Sequence, residues 1–176
     1  IAQVIGFQGV VAFMFGVAFG FMKGSRLLPE YVNTGAFDHL LLSPRSLYAR
    51  ILTSGTEVAA IGDMFFGIIL IVLYVLLAHL SIFQIFLFLS LLIPATIIMI
   101  NVGLAASLIC FFIPDAMHMS QDLFEVFLSP ALYPSAVFPR VLRFIFIFII
   151  PALAVGGLPV EIIENFTWAW YAVIWL

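Results

Sequence analysis

Three long apolar stretches constrain this chain more than any other feature of its sequence. They cover residues 1–22, about 58–79 and about 82–113, and Pro94 interrupts the last of them. A helix needs about 20 apolar residues to cross a hydrocarbon layer about 30 Å thick, because each residue adds about 1.5 Å. Each stretch is therefore predicted to be a membrane-spanning helix, and the chain to be an all-α polytopic membrane protein with a single transmembrane domain.

Composition supports this class and excludes several others. Hydrophobic residues make up 65% of the chain and charged residues 9%, against about 25% charged residues in soluble domains. The net charge of −3 offers no basic surface for nucleic acid, so no nucleic-acid partner is expected. The lone Cys110 excludes an intrachain disulfide, and His39, His79 and His118 do not have the spacing of metal ligands. No metal, cofactor or catalytic group is therefore predicted on this chain.

A polar segment at residues 23–56 separates the first two spans. It contains four of the six basic residues: Lys23, Arg26, Arg45 and Arg50. Since basic residues accumulate in the cytoplasmic loops of membrane proteins, this segment is predicted to be cytoplasmic. The next connection, residues 79–81, is so short that the second and third spans are predicted to form an antiparallel hairpin with an external turn.

Two short amphipathic helices are predicted within the polar segment, lying on the inner membrane surface. Asn33 or Thr34 is expected to cap the first helix, and Ser43 the second, with Pro44 in its first turn. The first helix would carry three apolar residues on one face: Phe37, Leu40 and Leu41. The alternative is a basic loop that only anchors the ends of the spans on anionic lipid.

The segment after residue 113 admits two topologies. In one, residues 114–139 form a cytoplasmic loop with a polar helix and a proline-rich stretch, and residues 140–157 form a short span. In the other, residues 116–132 cross the membrane, and the proline-rich stretch together with residues 140–157 forms a re-entrant hairpin on the external side. The hairpin is slightly preferred, because irregular backbone at membrane depth is acceptable when it is buried in protein or lines water.

The last residues, 166–176, are rich in tryptophan and are predicted to begin a further span at an interfacial aromatic belt. Because the chain starts and stops inside apolar runs, it is expected to be a fragment of a longer protein.

Polar residues within the apolar segments are the candidates for a pathway across the membrane. Asp122 and Glu125 lie three residues apart and would share one helical face, where they could line a subunit interface. On a loop helix the same carboxylates would simply be exposed. Asn101 is also a pathway candidate, although a hydrogen bond across helices is the commoner role for such a residue.

Two packing contacts are predicted from local spacing. Four glycines in the first span would let another helix approach closely on one side: Gly6, Gly9, Gly16 and Gly20. The alternative is that a membrane helix simply tolerates glycine. At the inner end of the second span, Glu57 and Asp63 are expected to pair with Arg50 or Arg45.

Two runs of residues resemble a known family. The run Gly35-Ala36-Phe37-Asp38-His39-Leu40-Leu41-Leu42-Ser43-Pro44, followed by Tyr48, Arg50 and a long apolar span, resembles the G-x-[LF]-D-x-L-L-x-x-P segment of ATP-binding cassette (ABC) transporter permeases. It looks most like the type-two, exporter-like branch. The stretch from Tyr133 to Arg143 and the run Ile149-Ile150-Pro151-Ala152 resemble the aromatic-proline stretch and the "IIP" of the same branch.

The resemblance covers nearly the whole chain and implies a six-span permease subunit, of which this chain would be the second to the beginning of the sixth span. Such a subunit would dimerise with itself or with a related permease, in a bacterial-type cytoplasmic (inner) membrane, and would favour export. It would dock on a separate ATP-binding subunit through one set of residues: Gly35, Phe37, Asp38, Leu41, Pro44, Arg45, Tyr48 and Arg50. ATP and Mg²⁺ would belong to that partner, because nothing here resembles the phosphate-binding motif G-x-x-x-x-G-K-[ST].

Two other classes are weighed against this interpretation. An integral membrane enzyme or scaffold could also carry a basic interfacial loop, but an enzyme should show a polar catalytic cluster near one membrane face, and the sequence has none. A secondary transporter would favour paired intramembrane charges and inverted repeats. The sequence shows no convincing repeat.

Overall fold

The computed structural model describes residues 2–42, 44, 46–113, 116–165 and 168–175. These residues form helices joined by short connections, and no strand occurs among them. The α-helices are α1 (Ala2–Met22), α2 (Gly24–Asn33), α3 (Phe37–Leu41), α4 (Leu47–Thr53), α5 (Val58–Leu77), α6 (Ile82–Ser107), α7 (Met117–Ala131), α8 (Arg140–Phe148), α9 (Ala152–Val155), α10 (Leu158–Glu164) and α11 (Trp168–Trp175). Short 3-10 helices cover Leu108–Phe111 and Ser135–Val137.

Within the described part of the chain, three helices are long and apolar enough to cross a membrane: Ala2–Met22, Val58–Leu77 and Ile82–Phe111. They coincide with the three predicted apolar stretches. Pro94 does not break the third, because α6 continues through it and buries the ring. Membrane helices tolerate proline in this way when neighbouring structure compensates for the lost hydrogen bond.

Helix α1 packs along α5 in the antiparallel direction. Gly6 lies against the ring of Tyr74, and a Cβ added there would stand 2.7 Å from ring carbons. About three turns further along, a Cβ added at Gly16 would lie 2.3 Å from the backbone nitrogen of Met64. Such distances require the two backbones to approach closely, as small residues permit.

The glycine prediction is confirmed at three of its four positions. A Cβ at Gly9 would also be crowded, 2.9 Å from the backbone nitrogen of Ile71, whereas Gly20 has only an ordinary contact at 3.6 Å. Helix α5 contributes a glycine of its own, Gly67, whose added Cβ would lie 2.3 Å from the backbone nitrogen of Phe13. The close seam therefore depends on both helices.

The connection between α5 and α6 is as tight as its length predicts. His79 adopts a positive φ of 50° in the turn, and Ser81 begins α6 with a capping box, in which its hydroxyl accepts from the Gln84 backbone. Next to the turn, the rings of Tyr74 and Phe88 lie 5.5 Å apart. We call this end of the helix bundle the turn end, and the end that carries α3 and α4 the elbow end.

Helix α7 runs from the elbow end toward the turn end. Near its start, buried Ser120 donates a hydrogen bond to Ser107 of α6 at 3.2 Å. At its end, the Ala131 carbonyl packs against Gly156, so closely that a Cβ there would lie 2.1 Å from the oxygen. The proline-rich stretch that follows lies beside Gln3 at the turn end.

After α7 the chain turns back into the bundle and out again. Helix α8 has nine residues, about 14 Å of helix, which is too short to cross a membrane. The chain then bends at residues 149–151, and every residue from 152 to 160 is buried among the other helices. No single helix therefore runs through residues 140–157, and α8 and α10 form two arms of a helical hairpin.

Polar contacts hold the two arms of this hairpin together at the turn end. Arg143 of α8 forms an ion pair with Glu161 of α10, and the Ser135 hydroxyl donates to the same carboxylate. Gln3 of α1 donates to Glu164. Helix α11 then packs on α6, where the hydroxyls of Tyr171 and Ser90 are 2.7 Å apart.

Candidate docking site at the elbow end

Helix α2, which a single residue separates from α1 and which precedes the elbow, was not predicted from the sequence. Leu28 of α2 is fully buried, in a small core with Ile51, Cys110 and Ala116. Pro29 lies inside this helix and obscured its pattern, since proline usually ends a helix. The spacing of Leu28 and Val32, four residues apart, is the signal that could have found it.

The predicted helix caps are wrong. Asn33 is the last residue of α2, and Thr34 caps its C-terminus by donating from its hydroxyl to the Glu30 carbonyl at 2.8 Å. Helix α3 begins instead after Ala36, with no side-chain cap. The physical reason is the extra helix α2, which uses the residues that were expected to start α3.

The second cap is also wrong, because α4 begins at Leu47, directly after Ser46, and its N-terminus has no side-chain cap. Pro44 therefore precedes the helix and does not occupy its first turn. Ser43, the predicted cap, and Arg45, a predicted docking residue, lie outside the described residues.

Two contacts fix the elbow, which we define as α3 and α4. The half-buried ring of Phe37 packs edge-to-face on Phe111 at the end of the third span, with ring centroids 5.2 Å apart. The Nη2 atom of Arg50 donates to the backbone carbonyl of His39 at 2.8 Å, which ties α4 to α3. Phe37 and Arg50 therefore hold the elbow in place from within this chain.

Four further docking candidates point outward. Gly35, Asp38, Leu41 and Pro44 are all exposed. Leu41 is 54% exposed and its neighbour Leu42 82%. The seven docking candidates that the structure describes thus divide into a supporting group and an outward group, and the apolar tip at residues 41–42 is the most exposed apolar part of the elbow.

Tyr48 joins the elbow to the third span. Its hydroxyl donates to Oδ1 of Asn101 in α6 at 3.0 Å. The Nδ2 atom of Asn101 in turn donates to the Ile97 carbonyl one turn earlier, at 2.8 Å. A predicted docking residue and a predicted pathway residue are therefore direct partners, although 53 positions separate them.

The predicted acid pairing differs from the observed one. Glu57 pairs with Lys23, at 3.5 Å, whereas Arg50 bonds to the His39 carbonyl. The reason is the close approach of the α1–α2 junction to the start of α5, which places Lys23 beside Glu57. Asp63 is exposed on α5.

Asp122 and Glu125 share an exposed face of α7, as their spacing predicted. The opposite face is held in the bundle by buried Phe124. Arg26 of α2 lies over two rings there, 4.9 Å from the centroid of Phe19 and 4.9 Å from that of Phe124. This cation therefore links α1, α2 and α7 at the elbow end.

The helical architecture and its apolar spans define the class of this chain, an integral membrane protein of the all-α polytopic kind. The chain belongs to the ABC-2 transporter membrane family: the family model described as "ABC-2 family transporter protein" matches residues 1–176. The resemblance carried by the two runs of residues is thereby confirmed at the level of the family, which is a membrane transport component and is not itself catalytic. No curated protein and no solved structure matched the chain.

Proposed function

We propose that this chain is the permease subunit of an ABC exporter and that it docks through the elbow on a separate ATP-binding subunit. The observation that carries the proposal is the exposed apolar tip at Leu41 and Leu42, which is supported from behind by the Phe37–Phe111 contact. A short helix with apolar anchors is suited to a groove on a partner. The exposed carboxylate of Asp38 would help to set its orientation.

The proposal includes a second permease subunit. The exposed carboxylates of Asp122 and Glu125 lie on a helix that runs between the two ends of the bundle. Charged groups at membrane depth are costly against lipid and normally face a bundle interior or a water-filled cavity. A dimer in which this face of α7 borders the translocation pathway would remove that cost.

The proposal also orients the chain. The elbow end carries Lys23, Arg26 and Arg50, and basic residues favour the cytoplasmic side. The elbow end would then be cytoplasmic in a bacterial-type inner membrane, with the turn end outside. ATP and Mg²⁺ would be bound by the partner subunit, whose hydrolysis cycle would drive the permease between its inward-open and outward-open states.

Docking is tested by replacing Leu42 with aspartate and measuring co-purification with a co-expressed ATP-binding subunit. Leu42→Asp is expected to reduce co-purification strongly, because it places a charge in an apolar contact. Val137→Asp is the matched control, since Val137 is 65% exposed but lies at the turn end. Equal recovery of the partner with Leu42→Asp and with wild type would refute the docking claim.

Orientation is tested by cysteine labelling in a Cys110→Ala background. Ala136 is exposed at the turn end, whereas Ser135 beside it is buried. Ala136→Cys is expected to react with a membrane-impermeant maleimide from outside the cell, and Leu42→Cys only after permeabilisation. The reverse pattern would overturn the proposed orientation.

A further inference from the structure

We propose that the Tyr48–Asn101 hydrogen bond is the coupling contact through which movement of the docked elbow reaches the third span. The inference rests on the proposed function, because it requires a motor subunit that moves the elbow. It assigns positioning roles to both residues. Tyr48 would transmit the displacement of the elbow to Asn101 on α6. Asn101 would then have a positioning role and would not contact substrate.

The geometry of Asn101 supports a defined receiving role. Its Nδ2 donates to the carbonyl of Ile97 on the same helix at 2.8 Å. This bond fixes the plane of the amide, since a carbonyl can only accept and the amide nitrogen can only donate. Oδ1 is thereby turned to the Tyr48 hydroxyl at 3.0 Å. The hydrogen bond between Tyr48 and Asn101 therefore has a defined donor and acceptor as well as a defined length.

The elbow holds the third span at two separate points. Helix α3 does so through Phe37 and Phe111, and α4 does so through Tyr48 and Asn101. Asn101 and Phe111 are ten positions apart, or about 15 Å of helix at about 1.5 Å per residue. A displacement of the elbow therefore acts on α6 over a lever of that length and can tilt it.

The third span passes the movement on to α7. Between the two points of attachment, Ser107 of α6 accepts a hydrogen bond from Ser120 of α7, and both side chains are buried. Asp122 and Glu125, the exposed carboxylates of the proposed pathway face, follow Ser120 on α7 by two and five residues. The route from elbow to α6 to α7 thus connects the docking surface with that face through contacts between side chains.

The chemistry of the link suits a contact that breaks and re-forms. Tyr48 is 48% exposed and Asn101 is also exposed, so this hydrogen bond can break without opening the packed core of the bundle. The neighbouring attachments of α4, Ile51 and Leu52, are buried and apolar. They would keep the elbow folded while the Tyr48 link changes during the cycle.

Four variants of the full permease, in complex with its ATP-binding subunit, test the inference: Tyr48→Phe, Asn101→Ala, the double variant and Tyr31→Phe. Tyr31→Phe is the matched control. It also removes one tyrosine hydroxyl that donates into this region, to the Ser54 carbonyl at 3.2 Å, but it leaves α6 untouched. The readout is the change in maleimide labelling at Ser129→Cys, on the exposed face of α7, when ATP and vanadate are added to the Cys110→Ala background.

Tyr48→Phe and Asn101→Ala are each expected to reduce the nucleotide-dependent labelling change about fivefold, which corresponds to about 1 kcal/mol, the typical net value of one hydrogen bond. The double variant should be no worse than either single variant, because both remove the same contact. The thermal unfolding midpoint should fall by a similar small amount in Tyr48→Phe and Tyr31→Phe, because each removes one tyrosine hydrogen bond. Tyr31→Phe should keep the wild-type labelling response.

Three outcomes would overturn the inference. They are a wild-type labelling response in Tyr48→Phe, an equal loss in Tyr31→Phe, and additive losses in the double variant. Failure of the proposed function is distinguishable from all of them. In that case the wild-type permease itself would not co-purify with the ATP-binding subunit, or its labelling would not respond to nucleotide.

Discussion

Replacing Gly16 with alanine is expected to destabilise the protein by about 1–2 kcal/mol, because α1 and α5 would have to separate. The added Cβ would lie 2.3 Å from the backbone nitrogen and 2.4 Å from the Cα of Met64, whereas ordinary contact begins at 3.4 Å. The obstructing atoms belong to the backbone and cannot rotate away. The helices must therefore move apart by about 1 Å at this point.

The size of the expected loss in stability follows from the contacts that this separation weakens along the α1–α5 interface. A gap of about 0.5–1 Å removes about a quarter to a half of the attraction of each atom pair, which is about 0.1–0.2 kcal/mol when intact. Gly9 and Gly67 lie on the same seam, so the loss spreads along both helices, and overpacking of this kind costs about 1–3 kcal/mol. Alanine recovers at most about 1 kcal/mol through its higher helix propensity.

The assay is the free energy of unfolding in mixed detergent micelles, with Gly62→Ala as the matched control. Gly62 lies within the partner helix α5, but an added Cβ there would have no atom within 4 Å. The control isolates the change in helix propensity and should leave stability equal to or slightly above wild type. The reasoning would be refuted if Gly16→Ala were as stable as wild type, or if Gly62→Ala lost as much stability as Gly16→Ala.

Two further substitutions test a buried hydroxyl and a half-buried cation. Tyr74→Phe should keep the free energy of unfolding or raise it by up to about 1 kcal/mol, because the Tyr74 hydroxyl is buried with no hydrogen-bond partner among the described residues. A loss above about 1 kcal/mol in the same micelle titration would contradict this expectation. Arg26→Gln should lower the thermal unfolding midpoint, at a cost of about 1–2 kcal/mol, because it removes the cation from the rings of Phe19 and Phe124. Arg140→Gln, at an exposed arginine of the turn end, should leave the midpoint unchanged.

Local sequence properties predicted much of the fold. Hydropathy and length located the three spans, since those properties are what a bilayer selects. The spacing of Gly6, Gly9 and Gly16 predicted a close helix partner, but it could not identify that partner as α5. The three-residue connection at 79–81 likewise fixed the hairpin, because so short a turn allows no other path.

The candidate site could be predicted in outline but not in its contacts. Tyr48 meets Asn101 across 53 positions, and Arg26 meets Phe124 because α2 and α7 converge. No local pattern encodes such pairs, since they depend on how the helices pack. The predicted cap at Thr34 failed for a related reason. The preference of threonine for helix ends was recognised, but that residue ends α2, a helix whose pattern the sequence analysis did not detect.

Gly35 has ample space for a side chain, but its backbone conformation restricts which residue can occupy the position. Nothing lies within 4 Å of where its Cβ would be, yet its φ is +74°, a conformation that L-residues rarely adopt. The constraint there is one of chirality and not of volume. A D-alanine introduced by chemical ligation should preserve the turn between α2 and α3, while its L-enantiomer, identical in size, should strain it and rotate the exposed tip of the elbow away from its present direction.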